Sequence, residues 1–469
     1  MNSVVSRSLV EKPFIDRDKL YGLLDAHEPS PVRLGELLDK ALKLGGLELS
    51  EVAELLRVES SEGIRRIMEA ARLVKQEIYG KRLVLFAPLY VANYCDNNCV
   101  YCGFRKANSS LNRVALNLGE VRQEVEALLR QGHKRLLMLM GESEKTTLDY
   151  FIETIRTAYS VRVGEQNIRR INVEIAPLTV EDFARLKKEN IGTYACFQET
   201  YDPVAYKKFH PSGPKSDYEW RLLVMDRAME GCIDDVGIGA LFGLADYRFE
   251  VLALIEHARH LEAAFGCGPH TVSVPRLEPA EGAPLASRPP HPVSDEDFKK
   301  LVAVIRLALP YTGIILSTRE SEELRNELFN YGVSQISAGS RTNPGAYDED
   351  HPESGAQFSL GDHRSLEEVI SCLIDQGYVP SFCTGCYRKG RVGADFMDLA
   401  KPGLIKAYCL PNALFTFAEY LGDFASQDVR ARGMALIRRL AETEVPESRR
   451  EKTLAELDSI AAGHRDVYF

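Results

Sequence analysis

The sequence has no long block of basic residues. Its 58 lysines and arginines are outnumbered by 68 aspartates and glutamates, a formal charge of −10 over 469 residues. Nucleic acid and anionic membrane surfaces are therefore not expected as partners. Long apolar runs are missing too. The stretch 83–92 falls well short of the roughly 20 residues a membrane helix needs. The N-terminal stretch MNSVVSRSLVEKPF lacks the apolar core of a secretory signal, so a cytoplasmic protein is expected. No internal repeat and no low-complexity tract is visible. With 45% hydrophobic and 27% charged residues, disorder is excluded as the main state, and enough apolar surface remains for a large core.

The ten cysteines carry the most information. In a cytoplasmic chain they are poor evidence for disulfides. Six form two triplets: Cys95, Cys99 and Cys102, then Cys383, Cys386 and Cys409. Cys196, Cys232, Cys267 and Cys372 are solitary, in apolar or strand-like surroundings, and read as core packing.

Residues 1–80 have helical spacing throughout. Ser30-Pro31 caps RLGELLDKALKL, Ser50 caps EVAELLRV, and Ser60 or Ser61 caps EGIRRIMEAARLVKQEIYG. From residue 83 short strand-like runs alternate with amphipathic helices. Strands are expected at 83–92, 135–140, 170–175, 193–197, 235–240, 271–275, 312–316 and 334–337. Helices are expected at 119–132, 147–161, 180–189, 217–231, 248–265, 295–309 and 320–330. Eight such units predict an α/β fold, a (β/α)8 barrel of the TIM type. An open doubly wound sheet is the alternative, but it would more naturally carry a glycine-rich first turn where this chain has its first cysteine triplet. The expected organisation is an N-terminal helical extension (1–80), a barrel (81–365) and a mainly helical C-terminal domain (366–469). The stretch 342–362 reads as a loop.

Polar residues cluster where six of the strands end: Gly141-Glu142-Ser143, Glu174, Gln198-Glu199-Thr200, Arg276 with Glu278 and Glu281, Ser317 to Glu320, and Ser337, Ser340 and Arg341. Barrel enzymes place their chemistry on this rim. The spacing Cys95-x3-Cys99-x2-Cys102 lets three thiolates converge on one iron–sulfur cluster and leaves one iron of a [4Fe–4S] cube without a protein ligand. Zinc is the alternative, but a structural zinc site is normally closed by four ligands, and no further ligand follows nearby. Cys383-x2-Cys386-x22-Cys409 again supplies three thiolates. A second cluster is preferred there, with zinc and a distant fourth ligand still open.

The first triplet and its context closely resemble the radical S-adenosylmethionine (SAM) superfamily. The resemblance implies that the open iron binds SAM and that Tyr101, Met140, Gly141, Glu142, Glu174, Gln198, Glu199, Arg221 and Gly239 contact it. Met140-Gly141-Glu142 would meet its amino group, Arg221 its carboxylate, and the Gly239 backbone its adenine. Within the superfamily, the stretches LYVANYCDNNCVYCGF, VEIAPL, QETY, GPHTVSVPRLEPAEG, LSTRES and SAGSRTNPGAY resemble the aromatic amino acid lyases. That group contains the tyrosine-cleaving maturases of [FeFe]-hydrogenase and the thiamine-pathway tyrosine lyase. The C-terminal triplet separates the two in favour of the maturases.

The resemblance implies cleavage of tyrosine to p-cresol and dehydroglycine. Dehydroglycine would then become carbon monoxide and cyanide at an auxiliary cluster carrying an extra iron. A non-protein cysteine would bridge that iron to the cluster, and His270 would ligate it. Arg319 is favoured for the tyrosine carboxylate, with Arg341, Ser337, Ser340 and Tyr90 as further substrate contacts. Pairing of Arg319 with Glu320 or Glu278 is the structural alternative. Expected partners are tyrosine, other hydrogenase maturation proteins, and a reductant such as ferredoxin or flavodoxin. Competing functions are a 2-iminoacetate synthase of thiamine thiazole synthesis and a non-catalytic iron–sulfur carrier.

Overall fold

The computed structural model describes residues 14–25, 27–348 and 355–469. The stretch read for a secretory signal lies almost wholly outside the described residues, as does the middle of the loop 342–362. Eight parallel strands follow the expected phase: β1 (Arg82–Ala92), β2 (Arg135–Met140), β3 (Arg170–Glu174), β4 (Thr193–Ala195), β5 (Asp235–Gly239), β6 (Thr271–Ser273), β7 (Gly313–Leu316) and β8 (Gln335–Ser337). Each pairs with the next, and β1 pairs with both β2 and β8, which closes the barrel.

Strand β1 explains why closure works. It is buried along its whole length, as a strand between helices and a filled interior must be. Its odd residues Leu83, Leu85, Ala87, Leu89 and Val91 join the core beneath the helices. Its even residues Val84, Phe86, Pro88 and Tyr90 line cavities inside the barrel. Truncating the fully buried Leu85 to alanine would cost about 2–5 kcal/mol.

The differences from expectation have local causes. β6 stops at Ser273, and the residues beyond it include Pro275, which has no N–H for the ladder. The helix expected at 217–231 is two helices, Tyr218–Leu222 and Val224–Glu230, divided at Leu223. Glu48, not Ser50, opens the helix Leu49–Leu56, through a reciprocal capping box with Glu51. Cys232 is exposed at φ 67°, just past the end of a helix, so it is not a core residue; Cys372 is only partly buried. Helix Pro203–Phe209 was not expected, although Asp202-Pro203 is a good cap and first-turn pair. A ninth strand, β9 (Val379–Ser381), pairs with the first residues of β1 and ties the C-terminal helices to the floor of the barrel.

Candidate active site

The loop after β1 carries the first triplet and has no regular structure of its own. The segment after β4 pins it. Asn98 N–H donates to the Ser212 carbonyl and Val100 N–H to the Phe209 carbonyl, both at 3.1 Å. Lys215 N–H donates to the Asn97 side chain at 2.7 Å. Gly213, at φ 95°, packs against the Asn97 backbone with no room for a Cβ. Cys95, Cys99 and Cys102 line one cavity together with Tyr101, Met140, Gly141, Glu142, Glu174, Glu199, Arg221 and Arg319.

Side-chain amides serve two of the sulfurs. Asn97 Nδ2 lies 3.7 Å from Cys95 Sγ, and Gln357 Nε2 lies 3.8 Å from Cys102 Sγ. Such donors suit cluster-bound thiolates. Burial pushes the Cys102 thiol up to about 12, so it becomes a thiolate by exchanging its proton for a metal. No three Cys, His, Asp or Glu side chains among the described residues converge tightly enough for a single metal ion. This is compatible with a polynuclear centre, whose ligands bind different irons. The donor set therefore fits an iron–sulfur cluster.

Acids and bases alternate around this cavity. The Glu142 carboxylate accepts from Asn97 Nδ2 at 2.6 Å. Gly141 presses on the Tyr94 carbonyl, where a Cβ would collide. Tyr101 donates to His210 Nε2 at 2.8 Å, while His210 Nδ1 donates to the Tyr206 carbonyl. Glu199, at φ 69°, accepts from Lys215 Nζ at 2.6 Å and lies 3.9 Å from Arg221 Nη2. Burial alone would raise its carboxyl; Lys215 and Arg221 outweigh burial and hold it low. Glu174 goes the other way. Burial, then the neighbouring Glu199, pushes it up to about 7 against the pull of Arg319.

A second cavity continues downward inside the barrel. Phe86, Leu137, Leu139, Ile315 and Phe358 make it apolar, and Asn172, Ser317 and Ser337 give it polar points. Glu174 and Arg319 belong to both cavities. Arg319 stacks on Phe358, 3.3 Å from the ring centroid. One of its anticipated partners, Glu320, is instead bound by Arg276, whose Nε lies 2.9 Å from Glu320 Oε2. No carboxylate among the described residues forms an ion pair with Arg319. Tyr90 donates to Gln357 Oε1 at 2.7 Å.

Four anticipated contacts lie elsewhere. Gln198 is buried beside the upper cavity, its Nε2 3.4 Å from the Tyr218 carbonyl. The Phe197 ring fills the space over the Gly239 Cα, so Phe197 and not the Gly239 backbone faces the cavity. Ser340 is buried with an unpartnered hydroxyl but lines neither cavity, and Arg341 is exposed. The sequence reading missed Asn97, Lys215, Gln357 and Phe358. Asn97 sits inside the cysteine loop and was within reach. Gln357 and Phe358 come from a turn-rich loop with no local pattern.

At the opposite, N-terminal mouth, Cys383, Cys386, Cys409 and His270 line one small cavity. Cys383 follows β9, Cys386 sits in the short helix Gly385–Arg388, and Cys409 in the helix Lys406–Asp423. Gly385 N–H donates to Cys383 Sγ at 3.3 Å. Cys386 and Cys409 share a hydrogen bond that lowers the first thiol and raises the second. Burial keeps His270 neutral, and its Nδ1 lies 3.6 Å from Asp235 Oδ1. Neutral imidazole beside three cysteines fits a second iron–sulfur centre and a ligand to ferrous iron.

Comparisons with known proteins agree with this geometry. Residues 89–257 match the radical SAM superfamily, and residues 273–379 match the biotin and thiamin synthesis associated domain. The chain is 34% identical over 351 residues to the 2-iminoacetate synthase of Salmonella typhimurium, covering 73% of this chain and 89% of that one. The crystal structure of HydG, a maturase of the [FeFe]-hydrogenase, superposes with a TM-score of 0.94 at 48% identity, over 98% of this chain and 100% of that one. HydG from Carboxydothermus hydrogenoformans superposes with a TM-score of 0.83 at 44% identity, over 95% and 97%.

Proposed function

This chain belongs to the HydG family of radical SAM enzymes, and on that premise we propose that it cleaves tyrosine to p-cresol and dehydroglycine and converts dehydroglycine to carbon monoxide and cyanide for hydrogenase assembly. The observation that carries the reading is Arg319. Its guanidinium is held flat on Phe358, has no carboxylate ion-pair partner among the described residues, and stands where the cluster cavity opens into the apolar one. A planar fork of N–H donors there suits the carboxylate of an amino acid. The apolar walls below it suit an aromatic ring.

When bound, the upper cluster and SAM supply a 5′-deoxyadenosyl radical. The protein's own part is binding and enclosure. Cys95, Cys99 and Cys102 would hold the cluster. Glu142, Arg221 and Glu199 carry the charges that would orient an amino acid group beside it. Arg319 would fix the tyrosine carboxylate. Ser337 and Tyr90 would position the rest of the substrate, and Glu174, protonated below about pH 7, can donate a hydrogen bond near the amine. Phe86, Leu137, Leu139 and Phe358 exclude water from the reacting atoms. Below, Cys383, Cys386 and Cys409 would hold the auxiliary cluster and His270 the extra iron. The thiamine-type alternative leaves this lower set of residues without a task.

Anaerobic incubation of the reconstituted protein with SAM, dithionite and tyrosine tests the reading. All three products are expected. Cresol without carbon monoxide and cyanide would reduce the function to a tyrosine lyase. SAM cleavage without cresol would remove tyrosine as the substrate.

A further inference from the structure

The lower mouth holds more positive charge than its surroundings neutralise. Strands β1, β2 and β3 each begin with arginine: Arg82, Arg135 and Arg170. Side chains alternate along a strand. Arg82 therefore shares the inward face with Val84 and Phe86, Arg135 with Leu137 and Leu139, and Arg170 with Asn172 and Glu174. Arg135 and Arg170 pair in register with each other, Arg82 lies nearer the N-terminal mouth on β1, and they are 5%, 7% and 8% exposed. Arg391, just beyond the lower cysteines, joins Arg82 and Arg135 on the cavity wall. The acid beside His270 is Asp235, the first residue of β5. It already accepts from Gly393 N–H at 3.0 Å and faces His270.

Arg170 is occupied, stacked 3.4 Å from the centroid of Tyr387. The other three are not fully used. Arg135 donates through Nη1 to the Cys383 carbonyl at 2.6 Å, and Arg391 donates through Nη2 to a backbone oxygen of the last residue, Phe469, at 2.7 Å and also hydrogen-bonds Cys386. Arg82 has no hydrogen-bond acceptor or ion-pair partner among the described residues; its contact is the Tyr79 ring, 5.6 Å away. The Nε atoms of Arg82, Arg135 and Arg391 are all buried and unpartnered. A buried guanidinium without an anion is strongly unfavourable. Thiolates on a cluster answer part of the charge, but they are poor matches for the N–H fork of arginine, which suits a carboxylate. The cavity is about 50 Å³, half the volume of the apolar one above it.

We propose that Arg82, Arg135 and Arg391 form a carboxylate subsite that docks a two-carbon α-imino or α-oxo acid beside His270 and the lower cysteines. Only the identity of its natural occupant rests on the function proposed above: dehydroglycine is such an acid.

Glyoxylate is a stable probe of the same size and charge. Titrated into the reconstituted holoprotein without SAM, it is expected to shift the EPR signal of the lower cluster saturably. Uncharged glycolaldehyde is expected to leave that signal alone. Arg82→Met and Arg391→Met are expected to weaken the apparent glyoxylate Kd at least tenfold with iron content unchanged, and Arg82→Lys to weaken it less. An equal response to glycolaldehyde, or unchanged affinity in the Met variants, overturns the subsite. If Arg82→Met fails to hold its cluster, Arg391→Met decides. A wild type that makes p-cresol but ignores glyoxylate overturns the subsite alone. A wild type that binds glyoxylate but makes no p-cresol overturns the tyrosine reading and leaves the subsite standing.

Discussion

The two mouths of the barrel each gather three cysteines, but they are built in different ways. Above, the cysteines share the single loop 95–102. Below, they come from the end of β9, a short helix and a long one. Above, acids and bases face each other: Glu142, Glu174 and Glu199 against Lys215, Arg221 and Arg319. Below, the cavity wall has three arginines and no carboxylate among the described residues. Mixed charge suits molecules that carry both signs, as SAM and tyrosine do. A cationic floor suits a small anion. The two sites share a ligand count and differ in charge layout, which is the ground for proposing different substrates for them.

The comparison breaks most sharply with ligand loss at one end only. Cys99→Ala should abolish all products, since nothing proceeds without the upper centre. Cys386→Ala or His270→Ala should leave p-cresol formation while carbon monoxide and cyanide fall at least 100-fold. Simultaneous assay of the three products reads both variants. Loss of cresol in His270→Ala would mean the ends are not separable.

Arg319→Lys should be the next largest effect. A lysine keeps the charge but loses the fork and the stacking on Phe358. A loss of about 2–3 kcal/mol, or about 30- to 150-fold in kcat/KM for tyrosine, is expected for a charge-assisted bidentate contact. Unchanged cresol kinetics would remove Arg319 from the substrate.

The upper end should also carry its own pH response. Burial lifts Glu174 from the ordinary 4.5 to about 7 in the folded chain. Between those values the unfolded chain releases the proton and the folded chain keeps it. Stability therefore falls as pH rises through that window and levels off above it. Glu174→Gln should reduce the drop in melting temperature of the ligand-free protein between pH 5 and pH 8. Glu278, also raised to about 7 by burial, and Glu250, raised to about 8, act in the same direction, so part of the drop should persist. An unchanged drop would show that Glu174 is not the buried acid inferred here.

The strand phase was legible in the sequence because hydrophobic runs such as RLLMLM and GIIL end in polar clusters, and the helices between them have helical period. What was not legible depended on distance along the chain. Gln357 reaches Cys102 across 255 residues, and β9, three residues with a proline, leaves no periodic trace. The arginine floor lies between these cases. Arg82, Arg135 and Arg170 each stand at a strand start in plain view, yet they mean nothing until closure of the barrel brings the three strand starts to one mouth.

The smallest effect should come from the brace on the upper end. Arg17 Nε and Tyr21 hydroxyl both bond Asp202, at 3.1 and 2.9 Å. Asp202 caps the helix Pro203–Phe209, which leads to His210 and the Lys215 segment that pins the cysteine loop. Arg17 is 38% exposed on its side chain, so its ion pair is partly screened and worth about 0–1 kcal/mol. In Arg17→Ala, Asp202 keeps Tyr21 and two backbone N–H donors, so no buried charge is stranded. A drop of about 1–3 °C in melting temperature is expected, with the EPR signal of the lower cluster unchanged. Any effect on SAM affinity should appear above and not below. A matching change in the lower signal would mean that the N-terminal helices support the whole barrel and not its upper mouth alone.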